Sequence, residues 1–213
     1  MEAFEGSAPI KHEAGTSPEK RERILRAAIE AFSAQGYYHT RIRDIAQAAG
    51  IADGTVYLYF KNKEALLTAI FEDVMERALE EGRRRINAPG RAVDRLRRLV
   101  DLQLSSLGGD RDLATVFQIE LRHTGSGMAR YRRSHMSDYL GLFEEVLKAG
   151  QADGSLREDL DIEFTSRSIF GVIDAAALEW VVNRSEARLE DQLDAVVDLL
   201  MRGLGAAGHP QQS

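Results

Sequence analysis

The chain of 213 residues has no cysteine and four prolines. Without cysteine there is no disulfide framework, no thiolate zinc site, no iron–sulfur cluster and no thiol nucleophile. The histidines, at positions 12, 39, 123, 135 and 209, are too scattered for a histidine metal cluster. No apolar run approaches the roughly 20 residues that a membrane helix needs. Met1 to Gly15 is acidic and rich in small residues, with no apolar segment of a secretory signal. These absences predict a cytoplasmic protein with no metal. Catalytic signatures are missing too: there is no phosphate loop, no serine-centred elbow, no HExxH and no EF-hand loop. His123, near Glu120 and Arg122, is the one tempting cluster, and a lone histidine at a helix end is more often a cap or a surface residue. An enzyme is not expected.

What is present is ordinary globular composition, 44% hydrophobic and 29% charged. The formal net charge of −6 argues against a protein that coats nucleic acid over its whole surface. The charge is unevenly placed. Thr16 to Lys63 holds eight Lys/Arg against five Asp/Glu, a net of +3, which leaves −9 on the rest. A basic head on an acidic body points to a local anionic partner.

The periodicity is helical throughout, with no alternating run long enough for a strand and no internal repeat. Ser17-Pro18 reads as a hydroxyl N-cap with proline at the first helical position. Leu25, Ala28, Ile29 and Phe32 then form one apolar face, closed at Gln35-Gly36. A short helix carries Ile42, Ile45 and Ala46 and ends at Gly50, and another runs from Asp53 to Phe60. Asn62 caps a long helix that ends near Arg85, and Gly108-Gly109 ends a fifth. Asp110 caps a sixth bearing Leu113, Val116, Phe117 and Leu121, and Gly125-Ser126-Gly127 breaks it. A seventh ends at Gly150, an eighth spans about Asp161 to Asn183, and a ninth starts at Leu189. The expected fold is all-α with about nine helices. A disordered tail (1–16) precedes a three-helix helix-turn-helix domain (17–63). A helical effector-binding and dimerisation domain (64–204) and a flexible tail (205–213) follow.

Residues 40–63 carry the mechanism. Gly50 supplies the left-handed conformation of a tight helix–helix turn, Ala46 is small at the crossing, and Ile45 and Ile51 supply the apolar lock. The second helix then offers Thr55, Tyr57 and Tyr59 as hydroxyls, with Gly54 permitting close approach, Val56 and Phe60 inward, and Lys61 and Lys63 at its exit. Half-buried aromatics explain the tyrosines alone; the turn and the basic flanks favour a major groove. Arg41 and Arg43 add positive charge to the same face.

From Ile24 to Leu67 the sequence resembles the DNA-binding domain of the TetR/AcrR repressors. The resemblance rests on Phe32, Gly36-Tyr37, Thr40, Ile45-Ala46, Ala49-Gly50, Gly54-Thr55-Val56-Tyr57, Tyr59-Phe60, Lys63-Glu64 and Leu66-Leu67. It implies that Thr40 and Lys63 reach phosphates, that Thr55 reads base or backbone, and that Tyr57 and Tyr59 pack or bond against phosphates. Ala52 departs from the capping hydroxyl often found there. Asp53 departs from the family's polar or basic residue. It suits the helix dipole, and accepting from a cytosine amino group is the alternative.

The rest resembles one subgroup, the acyl-CoA-responsive repressors of fatty-acid degradation. That likeness lies in Leu113-Ala114, Gln118, Glu120-Leu121-Arg122, Tyr139-Leu140, Gly154, Ile169-Phe170-Gly171, Ile173-Asp174 and Trp180. It implies a double-stranded DNA operator as partner, no required cofactor, and a long-chain acyl-CoA as effector. Candidate effector residues are Phe117, Gln118, Leu121, Arg122, Arg130, Arg133, Phe143, Leu147, Phe170, Ile173 and Trp180. The nucleotide phosphates suit arginine forks. Arg83-Arg84-Arg85, Arg91, Arg95, Arg97-Arg98 and Arg132 are further candidates, with solvated helix faces as the plainer reading. Gly171 and Ala175-Ala176-Ala177, with Leu189, Leu193, Val196, Val197, Leu200 and Leu204, predict a homodimer through the last two helices, or else completion of the monomer core. A repressor of the same fold with a drug-like effector is the alternative function; an acyl-CoA-acting enzyme is a remote one.

Overall fold

A computed structural model describes residues 17–120 and 126–205, with backbone alone for 126–135. The fold is all-helical. Among the described residues there are nine α-helices: α1 (Pro18–Gln35), α2 (Ile42–Ala48), α3 (Asp53–Tyr59), α4 (Lys63–Asn87), α5 (Ala92–Gly108), α6 (Arg111–Thr115), α7 (Ser126–Ala152), α8 (Ile162–Val182) and α9 (Leu193–Leu204). A π-helical turn, Val116–Glu120, continues α6, and a 3₁₀ turn, Leu189–Gln192, precedes α9. An isolated antiparallel bridge joins Leu156 to Gly205.

The head is α1 to α3. Ile24, Ala27, Ala28, Ala31 and Phe32 of α1 are buried against Ile45, Ala46 and Val56. Gly50 has φ +64°, the left-handed turn residue the sequence predicts. The Ile51 N–H reaches back to the Ala46 carbonyl at 3.0 Å to close that turn. Asn62 caps α4 by accepting from the Ala65 N–H at 2.8 Å. Asp110 does the same for α6 from Leu113 at 3.0 Å.

The body is a layered bundle around α4, which packs on α5 and α7. The three helices meet at Gly82, where an added Cβ would lie 2.5 Å from a Leu142 methyl and 3.6 Å from side-chain atoms of Leu99 and Leu102. A side chain at position 82 would have to displace that Leu142 methyl, so glycine fits the helices as they are packed.

Local details differ from the sequence expectation for physical reasons. Ser17 occupies the N-cap of α1 but its hydroxyl makes no capping bond. Its N–H donates instead to the Tyr59 hydroxyl at 2.9 Å. The expected sixth helix shortens to five residues before widening into the π turn. Leu189 is buried under a 3₁₀ turn, so the last helix starts at Leu193.

Candidate nucleic-acid interface and effector cavity

The outward surface of α3 carries the candidate reading residues. Val56 and Phe60 are buried and fix which way the helix faces. Asp53, Gly54 and Tyr57 are exposed, and Thr55 is half-buried. Ala52 stands at the N-cap without a side-chain bond, so Asp53 supplies the negative charge at the positive end of the helix. Arg41, Arg43 and Lys61 are exposed around it. Arg43 leans 3.5 Å from Asp44, and Asp44 itself accepts from the Arg41 N–H at 2.9 Å to cap α2.

Two expected phosphate contacts, Thr40 and Lys63, spend their donors inside the head, and Tyr59 is tied there through its acceptor side. Thr40 is buried, and its hydroxyl donates within the head, with the Gly36 carbonyl at 2.8 Å and the Ala31 carbonyl at 3.1 Å. It ties the end of α1 to the start of α2 and presents no free hydroxyl outward. The Lys63 ammonium donates to the carbonyls of Tyr37, Tyr38 (3.2 Å) and Thr40 (2.9 Å) and lies 4.5 Å from the centre of the Tyr37 ring. Its donors are spent on the α1–α2 loop, and burial lowers its pKa. Tyr59 turns its hydroxyl to the Ser17 N–H. Thr40, Lys63 and Tyr59 therefore hold the shape of the head in this structure. Position in the motif marked them, but the carbonyls that claim them come from loop geometry that no spacing rule supplies.

Below the head lies an apolar cavity of about 270 Å³. Phe71, Val74, Met75 and Ala78 of α4 form one wall, Gln103, Ser106 and Leu107 of α5 another. Phe117 and Gln118 of the π turn, Met136 and Tyr139 of α7, and Phe170 and Asp174 of α8 close it. Phe117 stacks on Phe71 with ring centres 5.7 Å apart. Gln118 donates from Nε2 to Asp174 Oδ1 at 3.1 Å, joining the π turn to α8. Burial pushes the Tyr139 phenol up.

Of the expected effector residues, Phe117, Gln118 and Phe170 line this cavity. Phe143, Leu147 and Ile173 do not; each is fully buried in the bundle core. Trp180 is also elsewhere. Its indole N–H donates to the Ala187 carbonyl at 2.7 Å, and Arg111 lies 3.7 Å from the centre of its ring, locking the end of α8 to α6. Leu121 and Arg122 fall outside the described residues, and Arg130, Arg132 and Arg133 lie where the backbone alone is described. The sequence reading missed the α4 and α5 walls. A signal was there, because Gln103 and Ser106 interrupt an otherwise apolar stripe of α5.

Among the arginines whose side chains are described, Arg84, Arg85, Arg97 and Arg98 are engaged in struts. Arg85 bonds Glu81 at 2.7 Å, Asp101 at 2.6 Å and the Arg98 carbonyl at 3.1 Å. Arg98 donates to the Ala88 and Pro89 carbonyls, and Arg97 pairs with Asp194. Bonds from Arg84 and Arg85 bring the Glu81 carboxyl down to about 2.

Acidic groups of α6 and the π turn grip the head. Asp110 and Asp112 bond Arg26, Asp112 also accepts from the Ser33 hydroxyl at 2.9 Å, and Glu120 Oε2 accepts from the Tyr37 N–H at 2.7 Å. Phe117 and Gln118 on the cavity wall thus share one turn with the carboxylate that holds the α1–α2 loop.

The last two helices expose part of the expected surface, Gly171 and Ala175, and bury much of the rest. Leu189, Val196, Leu200, Leu204 and Ala177 are buried in their own protomer. What faces out is Phe164, Gly171, Ala175 and Val182 on α8 and Leu199 on α9. Phe164, Val182 and Leu199 are 70%, 61% and 60% exposed.

Comparison with known proteins agrees with this layout. Residues 24–70 match the model of the tetR family of bacterial regulatory proteins, and residues 71–203 match the C-terminal region of YsiA-like protein. The chain is 34% identical over 181 residues to the fatty acid metabolism regulator protein of Bacillus subtilis (strain 168), covering 85% of this chain and 93% of that one. It is similar to the structure of the fatty acid degradation regulator FadR from Bacillus halodurans, with a TM-score of 0.85 and 32% identity over 92% of this chain and 99% of that one. It is also similar to FadR from Bacillus subtilis in complex with stearoyl-CoA, with a TM-score of 0.81 and 34% identity over 85% of this chain and 98% of that one.

Proposed function

The chain belongs to the TetR family of bacterial regulators, and on that premise we propose that it is a dimeric repressor released from a palindromic operator by long-chain acyl-CoA. It is a transcriptional regulator and not an enzyme. DNA binding falls to residues 17–63; effector binding and dimerisation fall to residues 64–204.

The observation that carries the effector reading is the apolar cavity between α4, α5, the π turn, α7 and α8. Its rings and methyls suit an alkyl chain and offer a sugar or a nucleotide little. Ligand pockets run about 300–1,000 Å³, so at about 270 Å³ this one falls just below that range and a long chain enters by displacing its walls. The wall with the shortest route to the head is the π turn. Pushing Phe117 and Gln118 carries Glu120 with them and pulls on the Tyr37 N–H, hence on the loop that Lys63 and Thr40 hold. Isolated π turns recur at functional sites, in keeping with this role. A hundredfold loss of operator affinity needs about 2.8 kcal/mol of coupling, and DNA weakens ligand binding by the same factor.

The exposed stripe of Phe164, Gly171, Ala175, Val182 and Leu199 is where two protomers pair about a two-fold axis. Leu199→Asp is expected to give a monomer by light scattering and to abolish binding to a palindrome while sparing the fold.

The deciding experiment is a mobility-shift titration with palmitoyl-CoA against the operator. Release at micromolar ligand supports the reading. A complex left intact by palmitoyl-CoA but dissolved by an aromatic drug-like compound overturns the acyl-CoA assignment and leaves the repressor.

A further inference from the structure

The reading helix has an apolar apex. Val56 and Phe60 are buried and four residues apart, so they mark the inward direction of α3. Leu58 stands two residues from each, about 200° around the axis at 3.6 residues per turn, and so points straight away from the core. It is 73% exposed, more than any other large hydrophobic residue among those described. Gly54, one turn earlier, shares that outward face, and a Cβ there would meet nothing within 4 Å. Thr55 and Tyr57 flank this ridge. Arg41, Arg43 and Lys61, which precede and follow the helix in the chain, are exposed and supply positive charge for a phosphate backbone, while the exposed Asp53 at the start of the helix is the acidic exception.

A single exposed leucine needs no explanation on an ordinary surface. This one stands opposite the buried side of the helix, on the surface that the DNA-binding reading turns to the groove. Gly54 and Leu58 have no side-chain hydrogen-bonding group, so the centre of the ridge cannot read a donor or an acceptor. The one apolar feature on a base edge in the major groove is the C5-methyl of thymine. We propose that Leu58 is a specificity-determining residue that packs against a thymine methyl in each operator half-site. The proposal rests on the DNA-binding reading above and is independent of the effector.

The test uses the full-length protein. Duplexes are first selected from a random library, and each thymine of the enriched site is then replaced singly by deoxyuridine, which removes the methyl and nothing else. For the wild type, one position per half-site is expected to weaken binding about fourfold, and replacement in both half-sites about fifteenfold, the worth of one buried methyl per site. In Leu58→Ala the same replacements are expected to have no effect; in Leu58→Met the sensitivity returns. Because the side chain is exposed, the variants keep the wild-type unfolding midpoint. A wild type indifferent to every deoxyuridine, or a Leu58→Ala variant as sensitive as the wild type, overturns the proposal while leaving DNA binding intact. Failure to enrich any duplex overturns both, and that result is distinct from the other two.

Discussion

In the head, polar side chains are drawn into the seams and an apolar one stands outermost. In the body, charged side chains brace the outside and apolar rings surround a hollow. Thr40 and Lys63 spend their hydrogen-bonding groups on backbone carbonyls of the head, leaving Leu58 and Tyr57 at its surface. Arg85 and Arg98 tie α4 to α5 from outside, while Phe71, Phe117 and Phe170 face the cavity. The two arrangements answer different demands. A surface that meets a stiff double helix works only if its shape is fixed beforehand, so its polar groups serve best as internal locks. A chamber lined by rings and methyls can yield, because apolar contacts slide where hydrogen bonds break, and that suits the flexible chain proposed as its ligand.

That contrast predicts separable effects. The largest is expected for Phe32→Ala, which empties the centre of the head and costs about 3–5 kcal/mol in urea unfolding. Acyl-CoA binding should persist in it, because the cavity draws on other helices; loss of both activities would show that the halves share one core. Next is Lys63→Met, which strips three carbonyls of their donor at a cost of about 1–3 kcal/mol. Its operator affinity should fall without a change in the slope of log K against log salt. Arg41→Ala should do the converse, reducing that slope by about 1.8, one contact in each half-site, at unchanged stability. A slope change in Lys63→Met would return that ammonium to the phosphate backbone. Glu120→Ala should keep acyl-CoA affinity within about twofold and cut ligand-induced release about tenfold, a loss of about 1.4 kcal/mol of coupling. Calorimetry for the ligand and anisotropy for the DNA measure the two separately. The smallest effect is expected for Arg21→Met, which loses the paired 2.9 and 3.0 Å bonds to Asp73 between α1 and α4. At a partly exposed site that is worth about 0–1 kcal/mol, visible as a small fall in melting temperature.

The helices and their caps were legible because local chemistry decides them: Asn62, Asp110 and Gly50 behave as their side chains require wherever they stand. The inward face of α3 was legible for the same reason, since Val56 and Phe60 are spaced for it. The direction of long side chains was not. Whether Lys63 reaches a phosphate or folds back depends on carbonyls more than twenty residues away, and whether Trp180 lines a tunnel depends on where Ala187 returns. Within α9 the periodicity correctly gave an apolar stripe, yet Val196, Leu200 and Leu204 turn it toward the core of the same chain. The surface left outside is marked by Phe164, Val182 and Leu199, which a helical pattern alone does not rank. The cavity was half legible, because Phe117, Gln118 and Phe170 were identified while its α4 and α5 walls look like any core.

The close approach at Gly82 sets a fulcrum. From there to Lys63 is nineteen residues of continuous helix, an arm of about 28 Å at 1.5 Å per residue. A tilt of about 7° about that point swings the far end through roughly 3.4 Å, the rise of one base-pair step. An alanine at position 82 would first meet a Leu142 methyl, the movable end of a side chain, so its effect on ligand-induced release reports how firmly that packing holds the arm.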